Sequence, residues 1–135
     1  MRMESCVLVM VEESAFRQAL VSALESASGL QVLLALSVDE MLARSAQRTP
    51  DLLLLDLQVG GMSDLEPLAI LAERSELIMT RFWVLVDPGL DEDTRSTLAC
   101  YADRLIFMPV EPSQLAEQIL AETSPPGSGL RWVSD

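Results

Sequence analysis

The stretch Pro50-Asp51-Leu52-Leu53-Leu54-Leu55-Asp56-Leu57 decides the fold of this chain. Four consecutive leucines are typical of a strand that is buried on both faces, as in a parallel sheet covered by helices on each side. The run ends in a carboxylate, Asp56, and a Gly-containing loop follows it. Ligands and chemistry lie at the carboxyl ends of strands in open α/β sheets, so Asp56 is a candidate site residue. The alternative for a single aspartate at this place is a strand cap that only binds loop amides.

Four further apolar runs predict strands on either side of the leucine run, at residues 5–11, 30–36, 82–86 and 104–108. Helical periodicity predicts a helix from Ser14 to about Ala27, a short helix capped by Ser37 with Ser45 on its inner face, and further helices over about 64–73, over 91–102 and from Glu111-Pro112 onward. The helix over 91–102 is weakly amphipathic, with Leu98, Ala99 and Ala102 predicted inside. Five strands that alternate with five helices predict an α/β protein with a single doubly wound parallel sheet, joined by right-handed crossovers.

The predicted domain covers residues 1–122, and residues 123–135 are predicted to form a C-terminal linker or tail. Residues 124–129 read Ser-Pro-Pro-Gly-Ser-Gly, which is typical of a linker. The segment Arg131-Trp132-Val133 after it either docks on the domain or leads to a further domain.

The composition favours one soluble, cytoplasmic domain. Half of the 135 residues are apolar, but the apolar runs are shorter than a membrane span. The 9 basic residues against 21 acidic ones give a net charge of −12, which argues against direct nucleic-acid binding by this domain. The two cysteines, Cys6 and Cys100, lie in apolar or helical segments, so we expect buried thiols in a reducing compartment.

The chain contains no His, Lys or Asn. There is therefore no imidazole base, no Schiff-base lysine and no P-loop lysine. The first strand is also not followed by GxGxxG, the motif that a dinucleotide-binding fold requires. Carboxylate chemistry, metal binding by oxygen ligands, or no chemistry at all remain.

The span of about 5–122 resembles the receiver domain of bacterial response regulators. The cues are an acidic pair after the first strand, the run that ends in Asp56, a Gly-Met loop after it, and Pro109 after the fifth strand. The resemblance implies a flavodoxin-like sheet of order 2-1-3-4-5 and a cis bond before Pro109. It places Asp56 at the position of the phosphorylated aspartate.

The resemblance also implies a Mg²⁺ site, held in this family by two acids after the first strand, the phosphoacceptor and a backbone carbonyl two residues later. The corresponding residues of this chain form a weak, degenerate set: Glu12, Glu13, Asp56 and Gln58. Among the departures from the pattern, four fall at switch positions. Val11 replaces the first acid, Val86 the phosphoryl-binding Ser or Thr, Leu105 the switch aromatic and Met108 the Lys before Pro109.

These departures predict a pseudo-receiver, which is a signalling module that acts by protein–protein interaction without phosphorylation. We expect no enzymatic activity and no required cofactor, with Mg²⁺ possible if the acidic site functions. A partner protein or output domain is expected, and a homodimer is possible through the face of the fourth helix, fifth strand and fifth helix. That face offers Leu98, Tyr101, Gln114 and Gln118.

Two alternatives remain. One is a conventional receiver in which a histidine kinase phosphorylates Asp56. The other is a Mg²⁺-dependent phosphatase-like enzyme that uses Glu12, Glu13, Asp56 and Asp87, although no second aspartate follows two residues after Asp56.

Overall fold

Five parallel strands form one sheet in the computed structural model, which describes residues 5–12, 14–27, 29–56, 69, 71, 73–74 and 77–123. The strands are β1 (Ser5–Met10), β2 (Leu30–Leu34), β3 (Leu52–Asp56), β4 (Arg81–Val86) and β5 (Arg104–Phe107). Their spatial order is β2-β1-β3-β4-β5. This order and the parallel pairing confirm the predicted doubly wound sheet.

The leucine run forms the central strand, as predicted. Leu8 and Leu53 are partners between β1 and β3, and Leu53 is in turn the partner of Phe82 in β4. All four leucines of β3 are fully buried. Because successive side chains of a strand point to opposite faces, the leucines supply both cores of the domain. Other inner-strand residues predicted for the core are also buried: Val9, Val84 and Ile106.

Four helices lie within the described residues: α1 (Ala15–Glu25), α2 (Val38–Gln47), α3 (Glu92–Tyr101) and α4 (Pro112–Thr123). Here α3 and α4 are the fourth and fifth helices expected from the sequence. Side chains at three N-caps accept the backbone N–H of the third residue after the cap, which stabilises the first turn. These caps are Ser14, Ser37 and Asp91. Most of the helix predicted at 64–73, and the tail at 124–135, lie outside the described residues.

The helices cover the sheet on both faces. Leu20 and Leu24 of α1 and Leu115 of α4 pack on one face, against residues such as Leu52 and Leu54. On the other face, Met41 of α2 and Leu98 of α3 pack against residues such as Leu53 and Leu55. No helix in the part of the chain that the structure describes is both long and apolar enough to cross a membrane.

The structure corrects two expectations about α3 and confirms a third. Ala99, predicted inside, and Cys100, predicted to be a buried thiol, are both exposed. Leu98 is fully buried, as predicted for the inner side of this helix, so its side chain is not available on the face that the sequence offered for a dimer. The reason is that α3 turns a narrow apolar stripe inward, of which Leu98 is the one fully buried member. Cys6 is buried as predicted, and burial raises the pKa of its thiol.

Candidate functional site

Asp56 is the last residue of β3 and lies at the carboxyl edge of the sheet, as predicted. Its side chain is half-buried. Its partner in β4 is Leu85. On the other side, Met10 of β1 pairs with Leu55, so the same register places Val11 beside Asp56. The carboxylate that ends the leucine run therefore has apolar neighbours on both adjoining strands.

The turn after β1 carries the predicted acidic residues. Val11 is only 3% exposed and packs in the core, whereas Glu12 is exposed. The Ser14 hydroxyl donates to the Glu12 carbonyl at 3.1 Å and accepts the Arg17 backbone N–H at 3.2 Å, which fixes the entry into α1. Arg17 Nη1 donates to the Val11 carbonyl at 3.4 Å. The other predicted acid, Glu13, lies outside the described residues.

The carboxyl end of β4 has no hydroxyl directed toward Asp56. Val86 is 2% exposed and packs in the same core as Leu98, with Leu105 against it. Asp87, the next residue, accepts the backbone N–H of Gly89 on its Oδ1 at 2.7 Å. This carboxylate therefore stabilises its own turn, which weakens its assignment to an acidic catalytic set.

The end of β5 supplies a thioether where the family pattern has an ammonium group. The Met108 backbone N–H donates to the Val86 carbonyl at 2.9 Å, which holds the end of β5 against β4. The Met108 side chain is half-buried against the core that contains Val11. The Met108–Pro109 peptide is cis, which confirms the bond implied by the resemblance.

The described residues do not assemble the ligand set that the resemblance implies for Mg²⁺. Mg²⁺ requires near-octahedral coordination by oxygen, for which Val11 has no side-chain ligand. Among the residues that the structure describes, no three His, Cys, Asp or Glu side chains cluster as metal ligands. The described candidates are Glu12 and Asp56, and the predicted ligand Gln58 lies outside the described part of the chain.

Two cation–aromatic contacts at opposite ends of β5 were not predicted from the sequence. Phe107, at the end of β5, is 43% exposed, and the Arg95 guanidinium of α3 lies 5.1 Å from its ring centroid. The Arg104 guanidinium lies 4.5 Å from the Trp83 ring centroid, and its Nη1 donates to Gln118 Oε1 of α4 at 2.9 Å. The available signal was the alternation in β5, which puts Leu105 and Phe107 on the same face.

In sequence, a family model described as the response regulator receiver domain matches residues 7–120. The chain is 30% identical over 115 residues to the transcriptional regulatory protein YvrH of Bacillus subtilis, with 85% of this chain and 47% of that protein covered. The chain thus spans about half the length of this curated relative.

Solved structures show the same fold. The chemotaxis response regulator CheY4 of Vibrio cholerae is similar with a TM-score of 0.73 at 20% identity, over 88% of this chain and 98% of that one. NtrX from Brucella abortus is similar with a TM-score of 0.72 at 21% identity, over 98% of this chain and 29% of that one.

Proposed function

Since the chain belongs to the response regulator receiver domain family, we propose that it works as a pseudo-receiver whose signalling does not require phosphorylation of Asp56. Receiver domains are signalling modules of two-component systems and are not typically enzymes. In the proposal the domain still transmits a signal, but phosphorylation of Asp56 does not control it. The domain is a stable scaffold that docks a protein partner, and the residues around Asp56 do not respond to a phosphoryl group.

One observation carries the proposal. The three side chains at the positions that bind Mg²⁺ or the phosphoryl oxygens in the family pattern are apolar and packed. Val11 and Val86 are 3% and 2% exposed, and Met108 is half-buried against the core. Each stands where the family pattern has an acid, a hydroxyl or an ammonium group. Polar replacements at buried positions would need hydrogen-bond partners, so these valines belong to the core and not to a binding site.

The electrostatics point the same way. A phosphoryl group on Asp56 would carry roughly 1.5–2 negative charges near neutral pH where the free carboxylate carries one, and catalysis of its transfer rests on fixed positive charge and positioning. Met108 supplies no charge, and the chain has no Lys that could replace it. Apolar walls at Val11 and Val86 would increase the cost of desolvating the added charge. Both the formation and the persistence of an acyl phosphate on Asp56 are therefore disfavoured.

The proposed docking surface is the face formed by α3, β5 and α4. It carries Phe107 with Arg95 stacked on its ring, and the exposed side chains of Gln114 and Gln118. Tyr101 is half-buried at its edge. Aromatic and Arg side chains are the usual energetic centres of protein interfaces, and this combination supports a homodimer or a partner protein.

The partner in this proposal is a protein and not a nucleic acid. A net charge of −12 disfavours direct contact with a phosphate backbone. The curated Bacillus relative, a transcriptional regulatory protein, is about twice as long as the matched region, so an output domain in a longer polypeptide is one form of partner. The proposed location is the cytoplasm, where two-component signalling proteins meet their partners.

The test is intact-mass spectrometry after incubation with Mg²⁺ and acetyl phosphate. Three proteins are compared: wild type, Asp56→Asn, and a variant in which Val11→Asp, Val86→Thr and Met108→Lys restore the family pattern. We expect no phosphoryl adduct on wild type or Asp56→Asn, and a clear adduct on the restored variant. Circular dichroism of the restored variant checks that it is folded before its mass is interpreted.

A phosphoryl adduct on wild type that is absent from Asp56→Asn, together with altered self-association, would instead support the conventional receiver. Release of inorganic phosphate from a phosphoester by wild type, lost in Asp56→Asn, would support the phosphatase-like alternative. If the restored variant is folded but takes up no phosphoryl group, the residues at these three positions do not explain why Asp56 is not phosphorylated. That outcome would contradict the physical argument of the proposal.

A further inference from the structure

The amino-terminal edge of the sheet, opposite Asp56, carries the most exposed large apolar side chains of the described residues. Ile78 and Met79 are 81% and 85% exposed and directly precede the buried Thr80. Beside them is a pocket of about 210 Å³ lined by Leu77, Ile78, Thr80, Phe82, Tyr101 and Asp103. We call Ile78, Met79 and this pocket the basal patch. Adjacent large apolar side chains at this level of exposure, next to a pocket, are typical of a docking surface.

The last described helix ends at the same edge of the sheet. Glu122 Oε2 of α4 pairs with Arg81 Nε at 2.6 Å, and Arg81 is the first residue of β4. The carbonyl of Thr123 accepts the Ser5 hydroxyl at the start of β1. Arg81 lies two residues after Met79 in sequence. Because Glu122 contacts Arg81, the chain leaves α4 close to Met79.

The sequence after α4 has the composition of a linker followed by an apolar anchor. Residues 124–129 are Ser, Pro and Gly alone, and they are followed by Leu130, Arg131, Trp132 and Val133. Three of these four side chains are apolar. Trp132 is large enough to fill a small pocket, and Arg131 complements Asp103 at the rim and the negative charge of the domain.

The linker is long enough to reach the patch. Six residues span at most about 20 Å when extended, and about 13 Å on average as a flexible coil. The two residue steps from Arg81 back to Met79 span roughly 7 Å. The pocket lies against the other face of the sheet from α4, because its Phe82 and Tyr101 belong to the core covered by α2 and α3, and layers packed on a sheet lie about 10 Å from it. A short tether also gives a high effective concentration, so a modest apolar contact suffices for docking.

We infer that the segment 130–133 docks on the basal patch of its own domain, with Trp132 in the pocket and Arg131 toward Asp103. This inference goes beyond the proposed function and does not depend on it, because the patch lies at the opposite edge of the sheet from Asp56. It assigns an occupant to a surface whose exposed isoleucine and methionine would otherwise favour self-association.

The test uses the full chain and its exposed thiol. Cys100 is exposed and precedes Tyr101 of the pocket, whereas Cys6 is buried, so a nitroxide reagent labels Cys100 selectively under native conditions. In a ¹⁵N-labelled sample we expect the Trp132 indole signal to lose most of its intensity and to regain it when ascorbate reduces the nitroxide. Comparison with Trp132→Phe assigns this signal against that of Trp83.

Two variants make the result specific. Ile78→Ser with Met79→Ser removes the patch at exposed positions and should restore most of the Trp132 intensity in the oxidised sample. Leu36→Ser, at a residue 53% exposed beyond the opposite end of β2, should leave the attenuation unchanged. Attenuation that persists in the patch variant, or that is absent in wild type, overturns the inference.

A mixing experiment separates docking within one chain from docking between two copies. Unlabelled ¹⁴N chain carrying the nitroxide is mixed with ¹⁵N chain that carries none. We expect no attenuation of the Trp132 signal, because the segment is tethered beside its own patch. Attenuation in the mixture that matches the singly prepared sample would show that the segment binds a second copy, and would overturn the intramolecular assignment.

Discussion

Asp51 holds both backbone groups of Cys6: its Oδ2 accepts the Cys6 N–H at 2.7 Å, and its own N–H donates to the Cys6 carbonyl at 2.7 Å. Asp51 directly precedes β3, and Cys6 is near the start of β1. The aspartate that begins the leucine strand therefore also fixes the register of its neighbour.

Asp103 repeats this arrangement at the other side of the sheet. It directly precedes β5, its Oδ2 accepts the Phe82 N–H of β4 at 2.7 Å, and its N–H donates to the Phe82 carbonyl at 2.7 Å. Two of the four strand pairs thus begin with a carboxylate that supplies the hydrogen bond which the strand end lacks.

We therefore expect Asp51→Ala and Asp103→Ala each to lower the free energy of unfolding by about 1–3 kcal/mol, since each leaves a backbone N–H without an acceptor. The measurement is urea unfolding followed by circular dichroism. Asn at either position keeps an acceptor oxygen and should cost less than Ala. Asp39→Ala, at an exposed position of α2, is the matched control and should change the midpoint little. Equal losses for Ala and Asn would show that the charge, and not the acceptor, is what matters.

Packing of the central strand gives a second prediction. Leu53 is fully buried between β1 and β4, so Leu53→Ala should lower the free energy of unfolding by about 2–5 kcal/mol, through lost burial and the cavity left behind. Leu36→Ala, at an exposed leucine, is the control and should cost well under 1 kcal/mol. A loss below 1 kcal/mol for Leu53→Ala in urea unfolding would contradict the central position of β3.

The sheet could be predicted from the sequence because every strand of this fold is a short apolar run bounded by polar or turn residues. The N-caps Ser14 and Ser37 were visible for the same reason, since a hydroxyl before an apolar periodicity has few other roles. Asp56 was placed correctly because a carboxylate at the end of such a run lies at the carboxyl edge of the sheet. That signalling does not require phosphorylation of Asp56 stays a prediction.

The roles of Asp51 and Asp103 could not be predicted, because a carboxylate before a strand looks the same whether it faces solvent or a neighbouring backbone. The exposure of Ala99 and Cys100 was missed because α3 has a weak apolar periodicity, so a small rotation of the helix changes which residues beside the buried Leu98 face the core. The basal patch was missed because it lies in a turn, outside the strand and helix patterns.

The helix caps predict how stability depends on acid. The Leu36 backbone N–H, donated to Glu40 Oε1 at 2.8 Å, lowers the pKa of Glu40 from its ordinary 4.5. The Thr94 backbone N–H likewise lowers the pKa of Asp91 from 3.8. Because both values are lower in the folded state, their stabilisation is present above the ordinary values and is lost as pH falls through the folded ones.

Glu40→Gln and Asp91→Asn should therefore flatten the fall in the urea midpoint as pH is lowered from about 5 toward 3. Asn keeps the capping acceptor, so Asp91→Asn should retain most of its stability at neutral pH. Glu25→Gln, at an exposed carboxylate near the end of α1, removes the same charge without a cap. A profile for Glu25→Gln as flat as for the cap variants would point to net charge as the cause.

The last prediction concerns the face of α3, β5 and α4. If Phe107 is an energetic centre of the proposed interface, Phe107→Ser should weaken self-association or partner binding by roughly 5–30-fold, equivalent to about 1–2 kcal/mol. Arg95→Ala should weaken it less, because the cation over the ring positions Phe107 and contributes about 0.5–1 kcal/mol at an exposed site. Sedimentation equilibrium measures the dimer directly.

Leu36→Ser removes an exposed apolar side chain elsewhere and should have no effect on this association. Asp56→Asn should also leave association unchanged, since the proposed interface does not depend on charge at Asp56. Dissociation by Leu36→Ser as strong as by Phe107→Ser would place the interface on the β2 edge of the sheet.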